Sequence, residues 1–171
     1  MHSIELVLDD DTDRQIRAEW NQLAAAGLPS QARHTGASNR PHITLALAAA
    51  LDAADGVRLT VAAAALPTPI TIGSLLVFGA RRFVLARLAV PSVALLDMQS
   101  GVTAAVAEPV DPHGNFGAGQ WTPHVTLARR LTADQLAEAV TVLGEVPAIV
   151  GTAARARRWD MSAKLEAWID S

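Results

Sequence analysis

The sequence predicts an α+β fold: a bilobal, duplicated unit in which two largely antiparallel sheets surround a central cleft and helices cover the outer faces. Two observations carry this. A hexapeptide occurs twice, Pro41-His42-Ile43-Thr44-Leu45-Ala46 returning as Pro123-His124-Val125-Thr126-Leu127-Ala128 with Ile to Val the only change. The elements around each copy also follow one order: strand, helix, loop, repeated strand, helix, strand. The unit is about 80 residues long. Two copies are too few for a solenoid and suit two related lobes facing each other around a pseudo-two-fold axis.

Residues 3–8 alternate polar and apolar side chains, the period of a half-buried strand. Asp11-Thr12-Asp13 offers capping oxygens for a helix over about 14–26, with Ile16, Trp20 and Leu23 on one face and Gly27 and Pro29 at its end. A polar loop over 30–40 leads into the first repeated strand. The alanine-rich stretch 52–65 reads as a helix closed by Pro67 and Pro69. Residues 70–78 and 82–90, separated by Gly79-Ala80-Arg81, read as a hairpin. A helix over about 92–107 follows, with Ser92 as its cap. A loop rich in Pro, Gly and Asn covers 108–119 and precedes the second repeated strand. Thr132 caps a helix to Leu143, with Leu136, Val140 and Leu143 on one face. Two more strands are expected, over about 148–157 and 164–169.

Length and composition bound the rest. The 171 residues fit one domain, 1–171, with motifs at 42–45 and 124–127. Half are apolar and 18% are charged, enough to bury a core. The apolar runs fall far short of a bilayer span, and the N-terminus lacks the basic start and apolar stretch of a secretory signal. A cytoplasmic monomer without membrane contact or cofactor is the expectation. Cysteine is absent, which excludes disulfides, thiolate nucleophiles and cysteine–zinc sites. A formal charge of −3 argues against nonspecific grip on long nucleic acid, so such a partner should be short or bound locally. Of the 14 basic residues only Lys164 is lysine. Arginine suits bidentate phosphate recognition, and composition bias across a genome produces the same preference.

On a strand, residues i and i+2 share a face. His42 and Thr44 therefore face one way and Ile43 and Leu45 the other; His124 and Thr126 against Val125 and Leu127 repeat the arrangement. An imidazole and a hydroxyl opposite an apolar pair, made twice, predict a site built from two half-sites. Two His-x-Thr motifs at this spacing, each followed by an apolar residue, resemble the 2H phosphoesterase superfamily. The closer resemblance is to its bacterial branch, the 2′-5′ RNA ligase or RNA 2′,3′-cyclic phosphodiesterase family. Pro41 to Leu45 and the run Trp121-Thr122-Pro123-His124-Val125-Thr126-Leu127-Ala128-Arg129 carry the likeness. It covers most of the chain in order and spacing and is loose outside the motifs. The resemblance implies both motifs in a central cleft, no metal, and action on cyclic or 2′-5′ phosphodiesters. It implies His42 as proton donor and His124 as acceptor in hydrolysis, a choice that the pseudo-symmetric sequence does not itself make. Arg129 matches an arginine the family often has after its second motif. Arg40 is a weaker candidate without a family counterpart.

Physical logic supports the resemblance. Opening a 2′,3′-cyclic phosphate needs water to lose a proton and the leaving ribose oxygen to gain one, and histidine does either near neutrality. Thr44 and Thr126 can donate to non-bridging oxygens, and a fixed cation meets the developing charge. The expected partner is a short RNA end or nucleotide carrying a cyclic phosphate, with weak 2′-5′ ligation as the same step reversed. Two alternatives stay open: a non-catalytic module binding nucleotides or RNA ends, and a 2H enzyme for a non-RNA cyclic phosphate. The matched histidines weigh against the first. Trp121 and Phe116 border the second motif and are candidates to stack a nucleobase, with core packing the competing role for Trp121. Strand alternation puts Arg129 on the core face, so either a bulge turns it to the cleft rim or it pairs with a buried carboxylate; the resemblance favours the rim. His2, His34 and His113 lack matched partners and read as surface or loop residues, His34 close enough to rim the cleft. Arg81-Arg82 and Arg155 to Arg158 read as hairpin tips or solvated faces, and Trp159 and Trp168 as packing residues.

Overall fold

A computed structural model describes residues 1–111, 114–117 and 119–169. The elements are β1 (His2–Leu8), α1 (Asp10–Ala25), β2 (His42–Ala48), α2 (Ala53–Ala62), β3 (Thr68–Phe78), β4 (Phe83–Ala89), α3 (Val93–Ala105), β5 (Pro109–Val110), β6 (His124–Leu131), α4 (Ala133–Leu143), β7 (Ile149–Asp160) and β8 (Leu165–Ile169). One 3-10 turn, Gln31–Arg33, lies in the loop before β2. The fold is α+β with antiparallel strand pairing, as the sequence predicts.

The strands run β5-β2-β1-β7-β3-β4-β6, and β8 also pairs with β7. The two expected sheets are therefore halves of one hydrogen-bonded sheet. β7 joins them because it is long: residues 149–153 pair with β3, and 153–160 pair with β1. The sheet curls until β2 and β6, distant in strand order, become neighbours. The helices cross over. α1 packs with α4 against β6, and α3 packs with α2 against β2. The first helix of each repeat thus covers the motif strand of the other repeat. Ile43 and Leu45 on β2, and Val125 and Leu127 on β6, are fully buried beneath these helices. Burying each such side chain contributes roughly 1.5–3 kcal/mol.

Local chemistry explains where the elements differ from expectation. α1 starts at Asp10, four residues early, because Asp9 is the true cap: its carboxylate accepts from the Asp11 and Thr12 amides. Asp10, Asp11 and Asp13 then fill the first turn, where the helix dipole favours negative charge. Asp9 also accepts from the Thr152 amide at 2.5 Å. Gly151 makes that approach possible, since a Cβ there would stand 1.8 Å from Thr12 Oγ1. α4 is closed by a reciprocal capping box between Thr132 and Gln135. Its buried residues are Ala139 and Leu143, while Val140 is 44% exposed. β5 is a two-residue strand on Leu47 and Ala48, too short to leave a period in the sequence. Arg87 on β4 is fully buried; it pairs with Glu19 of α1 and donates to Gly73 O and Pro147 O, tying α1 to the second half of the sheet.

Candidate active site

The two motif strands hold their imidazoles in the same way. His42 Nδ1 lies 2.8 Å from Arg40 O, and His124 Nδ1 lies 2.7 Å from Thr122 O. A carbonyl oxygen only accepts, so each Nδ1 donates and each Nε2 is left for chemistry. A second matched pair pins the strands. Trp20 Nε1 donates to Thr126 O and Trp121 Nε1 to Thr44 O, both at 3.0 Å. Each indole reaches from one repeat to the motif strand of the other. Gln99 on α3 adds bonds to Leu45 O and Phe116 O.

Within this symmetric frame the charges differ. In the first half, Glu5 sits opposite Thr44 on β1, and Arg157 sits opposite Glu5 on β7. Glu5 is buried, with Oε1 2.5 Å from Ser3 Oγ and 3.7 Å from His42 Nε2. Arg157 Nε donates to Glu5 Oε2 at 2.9 Å, and its Nη1 reaches Glu166 Oε2 at 2.7 Å and Ser38 O at 2.8 Å. Burial pushes the Glu5 carboxyl up, but His42, Arg157 and the Ser3 hydroxyl outweigh it and hold the pKa below the ordinary glutamate value. Glu5 is ionised at neutrality.

In the second half the residue opposite Thr126 is Ala86, so no carboxylate occupies the place of Glu5. The Phe78 ring packs 4.7 Å from the His124 ring, tilted by 54°. Arg129 Nη2 stands 3.4 Å from Thr126 Oγ1. Burial lowers the His124 pKa; the charges of Arg129 and His42 push the same way, against the raising effect of the Thr122 carbonyl. The two imidazoles are near enough for charge on one to bear on the other. Burial also lowers the Arg129 pKa, and Glu5 counters it; the guanidinium stays charged. Arg129 reaches this position by a bulge. The β4–β6 register slips on either side of Leu85, and Arg130 takes a left-handed φ of 62°. Of the two readings of Arg129, the geometry is that of the rim.

Two clefts flank the histidines. One of about 640 Å³ opens beside His42, with Glu5, Arg40, Arg157, Trp159 and Lys164 in its walls. The other, about 430 Å³, is lined by Phe78, Val84, Asn115, His124, Thr126 and Arg129. Arg40 lines the first cleft with Nη2 3.4 Å from Glu166 Oε1 and its guanidinium over Trp168. Trp121 is 9% exposed and bonded to Thr44 O, so it braces the seam between the motif strands rather than offering a face to a base. Phe116 is half-buried against the core, its amide on Asp111 and its carbonyl on Gln99. Neither aromatic lines a cleft beside a motif histidine. His34 rims the first cleft, His2 sits 3.7 Å from Asp160, and His113 lies outside the described residues. Arg81 and Arg82 are exposed at the β3–β4 turn. Arg157 is a correction: it is 3% exposed and buried against Glu5, not part of a solvated face. Trp159 and Trp168 are half-buried.

Sequence reasoning missed Glu5, Arg157, Phe78 and Asn115. Glu5 gave no local signal: on an alternating strand an acid between Ile4 and Leu6 reads as solvent-facing, and its burial shows only when β7 is paired with β1. Arg157 on β7 is then its partner. Among the described residues, no three His, Asp or Glu side chains are placed to hold a metal ion. Among the described residues, no helix is long and apolar enough to cross a membrane.

The fold recurs in solved structures at low identity. A crystal structure of a phosphoesterase matches with a TM-score of 0.56 at 15% identity, covering 98% of this chain and 92% of that one. E. coli LigT complexed with 3′-AMP gives 0.53 at 15% identity, with 98% and 92% covered. Kluyveromyces marxianus Usb1 with uridine monophosphate gives 0.54 at 13%, with 99% and 98% covered. No curated protein matches the sequence significantly. The family model for the 2′-5′ RNA ligase superfamily spans residues 12–163, both His-x-Thr strands included, and the chain belongs to that superfamily.

Proposed function

We propose that the protein is a metal-independent phosphodiesterase that opens 2′,3′-cyclic phosphates of RNA ends or small nucleotides, with weak 2′-5′ ligation as the reverse step. Superfamily membership makes it an enzyme of the phosphoesterase and RNA-ligase type, acting on RNA or nucleotide phosphates. One observation carries the finer reading: two imidazoles fixed alike through Nδ1, with an ionised carboxylate beside one and a guanidinium beside the other.

That asymmetry supports a division of labour. His124 is desolvated and lies near the Arg129 guanidinium, so its pKa is lowered and Nε2 takes the proton of the attacking water. As water bonds to phosphorus, the P–O bond to one ribose oxygen breaks. His42, with Nε2 3.7 Å from Glu5 Oε1, gives its Nε2 proton to that oxygen. Thr44 and Thr126 donate to the non-bridging oxygens, and Arg129 meets the charge that grows on them. The cycle ends with His124 protonated and His42 neutral, and proton exchange with solvent resets it. A 5′-hydroxyl in place of water gives a phosphodiester through the same transfers.

The test is a screen of cyclic mononucleotides, cyclic-ended oligonucleotides and 2′-5′ dinucleotides in the presence of chelator. Cyclic substrates should be opened at full rate with EDTA present. Activity lost to EDTA and restored by a divalent ion would overturn the mechanism; turnover of cyclic phosphates that lack a nucleoside alone would overturn the substrate class.

A further inference from the structure

We propose that the groove leading from Arg129 across the 3-10 turn binds the phosphodiester backbone of single-stranded RNA, so that the preferred substrate is an oligonucleotide end rather than a free mononucleotide. The inference rests on the proposed function for the position of the reacting phosphate. The groove is about 590 Å³, and its polar lining is Ser30, Gln31, Arg33, His34, Arg129 and Arg130. It holds no carboxylate, in a chain whose formal charge is −3. In the cleft beside His42, by contrast, Glu5 and Glu166 pair with Arg157 and Arg40, so those guanidinia are already engaged by carboxylates. A polyanion therefore leaves the site more favourably along the arginine groove.

Arg129 lines both this groove and the His124 cleft, so its guanidinium borders the two. Arg33 and Arg130 stand exposed further along. Arg33 uses one Nη2 bond on Gly27 O and presents the rest of its fork outward. Arg130 makes no hydrogen bond or ion pair with any described residue, yet its backbone sits at φ 62°, a conformation an L-residue with a long side chain adopts only under strain. Glycine would fit that position better for folding. The bulge that aims Arg129 into the cleft aims Arg130 at the groove, and the two guanidinia match the planar, bidentate demand of successive phosphates. A 2′,3′-cyclic phosphate ends a strand at its 3′ side, so the phosphates 5′ of it fall on Arg130 and Arg33.

The experiment uses a fluorescein-labelled single-stranded octaribonucleotide with a 3′-phosphate, read by anisotropy at several salt concentrations. The comparison is wild type against the Arg33→Gln/Arg130→Gly double variant. Arg130→Gly removes the guanidinium while relieving the left-handed backbone, so the melting temperature should not fall on its account. Kd should rise about tenfold or more, and the slope of log K against log salt should shrink by about 1.4, two phosphate contacts at ~0.7 each. KM for a cyclic-ended octamer should rise in parallel, with kcat/KM on a cyclic mononucleotide unchanged. Unaltered Kd and salt slope would overturn the groove, as would equal losses on the mononucleotide. If neither cyclic substrate is turned over, the proposed reaction falls, and the anisotropy result still decides the groove.

Discussion

The two half-sites share a backbone and differ in charge. Both imidazoles donate Nδ1 to the carbonyl two residues back, and both threonine carbonyls accept from an indole of the other repeat. Yet β1 sets Glu5 opposite Thr44, while β4 sets Ala86 opposite Thr126. On the proposed function, the repeated backbone is the cradle for a tetrahedral group. The exchange of a carboxylate for a methyl, with Arg129 and Phe78 on the other side, sets its two ends apart in charge. Acid–base chemistry needs that inequality, because two identical imidazoles would titrate as a pair and share one proton between them.

The comparison breaks first at the histidines. His42→Ala and His124→Ala should each lower kcat by about 10²–10⁴, the usual worth of general acid–base catalysis. The double variant should fall far short of the product of the single losses, because the pair acts as a unit. Near-normal turnover in either single variant would remove that histidine from the reaction.

Arg129→Ala comes next, with a loss in kcat/KM of about 10²–10³, the worth of one well-aimed charge-stabilising donor. Its melting temperature should stay within a few degrees of wild type, since the guanidinium sits at the cleft rim with a long 3.4 Å contact to Thr126 Oγ1. The pH profile sharpens the point. The lowered pKa of His124 puts the acid limb of kcat/KM below the ordinary imidazole value of about 6.5. Removing a nearby cation favours protonation, so the limb should move to higher pH in Arg129→Ala. An unmoved limb would mean that Arg129 does not act on His124.

Glu5→Gln should have the smallest effect on rate, below the ~10²-fold that loss of a general acid or base costs, with its signature in kcat. A carboxylate that acts through His42 lowers kcat and leaves KM near its wild-type value. A purely structural Glu5 would lower the melting temperature and leave kcat in place. The native pair also carries a pH dependence of stability. The Glu5 pKa is depressed on folding, so its contribution is present above the unfolded glutamate value and is lost as pH falls through the folded one.

The motif strands were legible because their faces alternate with period two, and His42, Thr44, His124 and Thr126 lie where that period puts them. Thr132 and Ser92 cap their helices because capping is local chemistry. What escaped was set by partners far along the chain. Arg157 reads as one of a run of surface arginines until β1 brings Glu5 beside it, 152 residues away. Phe78 ends one strand of a hairpin and gives no sign that it packs on His124. Of the predicted face of α4, Leu143 is buried and Leu136 packs on the core, but the stripe runs through Ala139 and leaves Val140 exposed. Trp121 had two open roles, and a single indole bond to Thr44 O assigns it to the seam.

The crossed helices have a consequence for how such a molecule arises and persists. A chain with one repeat would have its first helix reaching for a strand it does not own. Two such chains would cover each other by trading that helix, as in a domain-swapped dimer. Joined end to end, the trade happens within one molecule, at an effective concentration set by the connecting hairpin rather than by the amount of protein present. The same crossing of helices that covers both motif strands therefore also frees the fold from dilution, a liability that any half-length form would carry.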